Sequence, residues 1–138
     1  MVVWAAAICM AFWESSVEGR KAFDKGKIGW KIKFSKNIII TKYHFFIFLT
    51  AIFLGSLPLL IYGWDTRLFG ILLSAFFTGG IIEDFMWYAV NPKVKLKEFW
   101  GSFSDYFPWI RIRNQKIIPV GYVISLLIAL ASWYFLWR

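Results

Sequence analysis

Residues 68–90 read LFGILLSAFFTGGIIEDFMWYAV, a run of 23 residues interrupted by charge only at the adjacent acids Glu83 and Asp84. At 1.5 Å of rise per residue the run is about as long as a bilayer's hydrocarbon core is thick, which predicts a transmembrane helix. An ionised carboxylate near the centre of such a helix costs about 2.5–3.5 kcal/mol on insertion scales. Acids placed there usually face protein or water and often mark a site, so Glu83 and Asp84 are the first candidates for function.

The rest of the chain supports a membrane reading. Of 138 residues, 59% are apolar or aromatic, well above a soluble domain and suited to a chain mostly immersed in lipid. The expected fold class is all-α: a polytopic integral membrane bundle of four transmembrane helices forming a single membrane domain over residues 1–138. Upstream of the central run, residues 44–64 predict the second helix, kinked at Gly55, Ser56 and Pro58. Only a few residues around Asp65 and Thr66 join it to the third helix, residues 67–91, so the two should form an antiparallel hairpin. Residues 117–137 predict the fourth. Gly70, Ser74 and Thr78 on the third helix, and Gly121, Ser125 and Ala129 on the fourth, recur every four residues, a small-residue face for packing against each other or against a second copy.

The first helix, residues 1–19, opens with the apolar MVVWAAAICMAFW and reaches bilayer thickness only when Glu14 and Glu18 are included, four apart on one face. It lacks the basic start and the small-residue cleavage site of a signal peptide. Cys9, the only cysteine, excludes an intrachain disulfide and any CxxC motif, and is expected as a small buried apolar residue.

The net charge is +8, and of 16 Lys and Arg all but Arg67 and Arg138 fall in two segments, residues 20–43 and 92–116. In the first, Trp30, Ile32 and Phe34 alternate with Lys31 and Lys33, a period of two that suits a strand or hairpin on the membrane surface. Lys21, Lys25, Lys27 and Lys36 surround it, with Asp24 the one acid, while Gly26 and Gly29 also allow a flexible linker. In the second, Lys93, Lys95, Lys97, Arg111, Arg113 and Lys116 interleave with Phe99, Trp100, Phe103, Tyr106, Phe107 and Trp109, the composition of a membrane interface. Both segments are tethered between spans, so the expected partners are anionic lipid headgroups and not nucleic acid, which needs a solvated basic face. The positive-inside rule puts them in the cytoplasm and both termini outside, in a multi-pass protein of the cell membrane.

That topology carries five polar groups to one depth: Glu14 and Glu18 where the first helix ends, His44 where the second begins, and Glu83 and Asp84 in the last third of the third. Asp84, Trp87, Tyr88 and Asn91 share a helical face, with Glu83 about 100° around the axis. One acid is expected to face the bundle axis and the other a neighbouring helix. Gly79 and Gly80, one turn earlier, are expected to serve packing. Three roles follow for the cluster. The acids are structural, uncharged or paired with Arg20, Lys42, Arg111 or Arg113. Alternatively Glu14, Glu18, His44 and Glu83 ligate a divalent cation, as facing helices do in carboxylate metal sites, although no Glu-x-x-His pair exists. In the third role Glu83 or Asp84 is a general base or proton carrier for a polar headgroup bound by Trp87, Tyr88, Asn91, Arg111 and Arg113. Histidine-box oxygenases are excluded by the single histidine, and no G-x-S-x-G elbow, P-loop or H-E-x-x-H motif occurs. The expected function is a cytoplasm-facing acidic and histidine site for a cation or polar lipid headgroup. Its rival is a non-catalytic accessory subunit or scaffold that docks a partner subunit or a second copy.

Glu14, Glu18-Gly19, Gly29-Trp30, Tyr43-His44, EDFMWY at 83–88, Asn91-Pro92 and Pro108-Trp109, in that order, resemble a group of small four-helix bacterial and archaeal membrane proteins. The resemblance implies the architecture and brings no activity with it. The group's pattern has a histidine after the tryptophan, where this chain has Ile110, a departure that weakens the case for a metal.

Overall fold

The computed structural model describes residues 1–20, 29–33 and 39–138. Four helices dominate: α1 (Val2–Glu18), α2 (Lys42–Tyr62), α3 (Thr66–Val90) and α4 (Val120–Ser132), the last continued by a wider π-type turn over Trp133–Trp137. Among the described residues three stretches are long and apolar enough to cross a membrane: α2 with 21 residues, α3 with 25, and Val120–Trp137 with 18. Helix α1 has 17.

The all-α expectation needs one amendment. Strands β1 (Lys31–Lys33) and β2 (Ile39–Thr41) pair antiparallel, as do β3 (Trp109–Ile112) and β4 (Gln115–Pro119). The first hairpin agrees with the period-two reading around Ile32. Lys21, Asp24, Lys25, Gly26, Lys27, Phe34 and Lys36 lie outside the described residues. The second hairpin moves the start of the last helix from residue 117 to Val120. Ile117 and Ile118 are β-branched and favour the strand, where Ile118 pairs with Ile110 and Ile117 is the extra residue at a bulge, and Pro119 lacks an N–H to continue the ladder, so Val120 begins the helix.

Helix boundaries have local causes. Asp65 caps α3 by accepting the Leu68 amide at 2.6 Å, and Thr41 caps α2 by accepting the His44 amide at 3.3 Å, each worth about 1 kcal/mol. Helix α3 stops before Asn91-Pro92 because the proline ring disfavours helical geometry in the preceding residue. Asn91 is accordingly extended.

Helix α3 is the axis of the bundle. Helix α1 runs parallel to its second half: Val3 and Ala7 pack on Gly79, Trp4 donates to Thr78 Oγ1 at 2.9 Å, and Asn91 Nδ2 donates to the Gly19 carbonyl at 2.9 Å. The start of α1 is therefore level with the middle of α3. Its packing face is Ala7, Ala11, Glu14, Ser15 and Glu18. Cys9 lies off that face and is exposed, contrary to the expectation of burial.

Helix α4 runs antiparallel along the first half of α3. Ser74 donates to the Ala129 carbonyl at 2.9 Å, Ser132 to the Gly70 carbonyl at 2.8 Å, and Trp137 Nε1 to Ser74 Oγ at 3.0 Å. The α3 small residues thus seat α4 within the chain. On α4 the contact shifts to Ala129 and Ser132, and Gly121 is left facing open space. Helix α2 stands at the periphery and buries only His44.

Segment 92–116 folds into a cap over the end of α3. Its aromatics join Ala11, Trp87, Tyr88 and Tyr122 in the buried core, with Phe99 at its centre. Phe99 meets Phe85, Tyr88, Trp100 and Trp109 edge-on, with centroids 4.8–5.6 Å apart, the favourable geometry for ring quadrupoles. Lys116 pins the cap: it donates to the Gly101 carbonyl and to Ser104 Oγ, and pairs with Asp105 at 2.8 Å. Arg20 fastens it to α1 through a two-pronged contact with Glu98, at 3.1 and 2.7 Å, and a bond to the Lys93 carbonyl.

Candidate functional site

Four helices and the cap line an open cavity of about 430 Å³. Helix α1 contributes Glu14 and Glu18, α2 His44, and α3 Glu83, Asp84, Trp87 and Tyr88. The remaining wall is largely apolar, with Met10, Ile47, Phe48, Phe107 and Ile124 among its residues. The geometry behind this convergence is simple. Glu83, Asp84, Trp87 and Tyr88 stand at i, i+1, i+4 and i+5, so they form one stripe on α3. Glu14 and Glu18 form a matching stripe on the parallel α1.

Seven of the ten residues singled out from the sequence meet here, and the other three do not line the cavity. Glu83 lines the same cavity as Asp84, and its carboxyl group is in hydrogen-bonding reach of Glu14 on the neighbouring α1. Asn91, one turn beyond Tyr88, spends its side chain on the backbone. Its Oδ1 accepts the amides of Lys93 and Val94 at 2.9 and 3.1 Å, and its Nδ2 holds Gly19. Arg111 lies 3.5 Å from Asp105 on the cap, and Arg113 occupies the tight turn of the second hairpin with positive φ, as does Asn114. Neither arginine reaches the cavity, because the β3–β4 hairpin carries both away from it. Arg20, a further candidate partner for the acids, is taken by Glu98.

The histidine is oriented by the cap of its own helix. Thr41 Oγ1 already accepts the His44 amide, and it lies 2.8 Å from Nδ1. On the other side of the ring, Nε2 faces Glu18 Oε1 at 3.4 Å. Both side chains are buried. The expected metal set of Glu14, Glu18, His44 and Glu83 is not arranged as a coordination shell: among the described residues no three His, Cys, Asp or Glu side chains are grouped to hold one ion. The acids line the wall of a cavity much wider than one ion's shell.

The sequence did not mark the cap for the site. Tyr106, Phe107 and Pro108 roof the cavity from the cap, and the Tyr106 hydroxyl bonds that of Tyr88. Burial pushes the Tyr106 phenol well above its ordinary range, so it stays a neutral hydrogen-bonding group. The Pro108-Trp109 pair was the one available signal. Trp87, stacked on Phe103 of the cap, is 5% exposed and lines the cavity. Its buried indole Nε1 has no hydrogen-bond partner among the described residues.

No protein-family model matches the chain, and no curated protein or solved structure matches it either.

Proposed function

We propose that the chain is a multi-pass cell-membrane protein that binds a cation or the polar headgroup of a lipid in this acidic cavity. The observation that carries the reading is the meeting of Glu83 and Asp84 with Glu14, Glu18 and His44 in one space from three helices, which keeps costly intramembrane acids on protein instead of lipid. In this reading α1 is a fourth membrane helix. The basic segments lie in the cytoplasm next to anionic lipid, the termini are outside, and the cavity opens near the inner leaflet. Glu83 or Asp84 is the group that handles a proton if the site is catalytic. A divalent metal is a less suitable occupant than an organic cation, since the acids are spread along a wall.

The test is binding of methylammonium to the detergent-purified protein and to Glu83→Gln and Asp84→Asn made separately. Weakening by at least about tenfold with unchanged unfolding supports the site. Variants that fail to fold, beside a parent that binds nothing, would make the acids structural.

One observation favours a second reading, an accessory subunit or scaffold. Helix α2 exposes Phe53, Leu54, Leu60 and Ile61 by 62% or more, a face that lipid or a partner subunit must cover. Co-purification of a stoichiometric partner lost on Leu60→Lys would support it.

A further inference from the structure

We infer that the β3–β4 hairpin lies along the headgroup layer of an anionic bilayer, with Ile110 and Ile112 toward the lipid and the Arg113 guanidinium on lipid phosphate. This rests on the proposed placement of the basic segments beside the membrane and names the surface that makes the contact.

The rings at the centre of segment 92–116 are not the ones that meet lipid. Phe99 is 3% exposed, and Trp109 packs on it while donating to the Ser104 carbonyl at 2.9 Å. Side chains alternate along β3. Trp109 and Arg111 turn to the cap, where Arg111 meets Asp105. Ile110 and Ile112 turn the other way and are exposed by 39% and 59%, and Ile117, the extra residue at the bulge, by 46%. A two-stranded ribbon with three exposed isoleucines is marginal in water, and moving those side chains out of water stabilises it.

Charge and position name the cover. Residues 109–119, WIRIRNQKIIP, hold three cations and no acid. Arg113 is exposed at the tip, with φ 48, and Asn114 follows with φ 67. Two successive positive φ values are those of a turn that favours Asn and Gly. A long basic side chain is thus kept at the tip against the local backbone preference, which points to a contact made by its guanidinium. Planar guanidinium matches phosphate oxygens, and an anionic leaflet attracts it. The base of the hairpin is fixed by β4, which runs directly into α4, a helix that with Trp133–Trp137 is long and apolar enough to cross a membrane. From Pro119 to Gln115 the strand extends about 13 Å, whereas the headgroup layer is about 5–8 Å deep on each side. An upright hairpin would therefore lift Ile112 into water. Bent over at the bulge, it keeps its isoleucines and Arg113 within that layer. Because Val120 donates to the Pro108 carbonyl at 2.8 Å, the docked hairpin shares its base with the roof of the cavity.

The test is hydrogen exchange on the full chain in nanodiscs of phosphatidylcholine alone and of an equal mixture of phosphatidylcholine and phosphatidylglycerol. Amides of residues 109–118 should exchange about fivefold more slowly in the mixture, the effect of one basic residue near an anionic surface. Arg113→Asn, which suits the turn better, should erase that difference, whereas a merely structural Arg113 would leave it in place. Ile112→Thr keeps the β-branch and removes apolar surface, and should speed exchange in the mixture about fivefold or more. Equal exchange in the two discs, a difference that survives Arg113→Asn, or protection that grows with the number of copies per disc, which would give the face to a second copy, would overturn the inference. Exchange across α2 and α3 separates the two levels. Fast exchange there in both discs sinks the membrane placement itself. Slow exchange there, beside a hairpin indifferent to lipid charge, sinks only the docked hairpin.

Discussion

His44 Nε2 lies 3.4 Å from Glu18 Oε1, joining the last residue of α1 to the first turn of α2. Residues 19–43 separate the two in sequence, yet both side chains are buried at one cavity wall. The contact couples the N-cap of α2 to the acidic stripe of α1, because Thr41 orients the imidazole that Glu18 meets.

His44→Ala should therefore lower stability by about 1–3 kcal/mol, the range for removing one partner of a buried hydrogen bond. Glu18→Gln should cost less, since a side-chain amide of the same shape offers the imidazole both a donor and an acceptor. Thermal unfolding of the two single variants and the double variant in detergent measures the coupling. Strictly additive losses would mean that the two side chains do not interact.

Asn91 should behave as a structural residue. Asn91→Ala leaves the Gly19 carbonyl and the Lys93 and Val94 amides without their side-chain partner, and a loss of about 2 kcal/mol is expected. Methylammonium binding per folded molecule should stay the same. A large loss of binding with unchanged stability would return Asn91 to the site.

Two glycines on α3 should respond in opposite ways. A Cβ on Gly70 would stand 2.6 Å from Leu136 Cβ and 3.0 Å from Trp137 Cδ1, so Gly70→Leu should separate α4 from α3 and cost about 1–3 kcal/mol. Gly80 has nothing within 4 Å of that position, and Gly80→Ala should be neutral or stabilising by up to about 1 kcal/mol. Unfolding midpoints of the two variants make the comparison, and a tolerated Gly70→Leu would contradict the packing.

The cap should loosen in acid over a defined window. Hydrogen bonding by the Arg20 guanidinium, helped by the Lys95 amide, holds the Glu98 carboxyl down from an ordinary 4.5 to about 2. A carboxyl whose pKa is lower in the folded state stabilises fully above its unfolded pKa, and that contribution fades as pH falls from there through the folded value. Hydrogen exchange at the cap amides should rise between about pH 4.5 and 2. Glu98→Gln should remove that dependence, and an identical profile in the variant would assign the loosening to another group. Asp105, held low by Lys116, titrates in the same direction, so the Glu98→Gln comparison is needed to separate them.

The three long apolar helices and the tight α2–α3 link are legible along the chain because lipid transfer energy accumulates residue by residue. The convergence of Glu14, Glu18, His44, Glu83 and Asp84 on one depth follows from helix length and direction. The cap was not legible. Phe99, Phe103 and Tyr106 have the composition of a membrane-surface segment, and nothing local distinguishes a ring that dips into headgroups from one that packs on Trp87 and Tyr88. Cys9 was misjudged for the same reason: burial depends on which face of α1 meets α3.

By itself, then, the order of residues determined where the apolar helices run, that the basic residues flank them, and which acids share a level. These are properties of single segments and of their transfer between water and lipid. Only the tertiary structure decided that Asn91 serves the backbone, that Arg20 and Arg111 are taken by Glu98 and Asp105, and that Trp87 stacks on Phe103 of the cap. Those outcomes depend on pairs far apart in the chain, whose meeting is fixed by how α1 and α4 pack on opposite halves of α3.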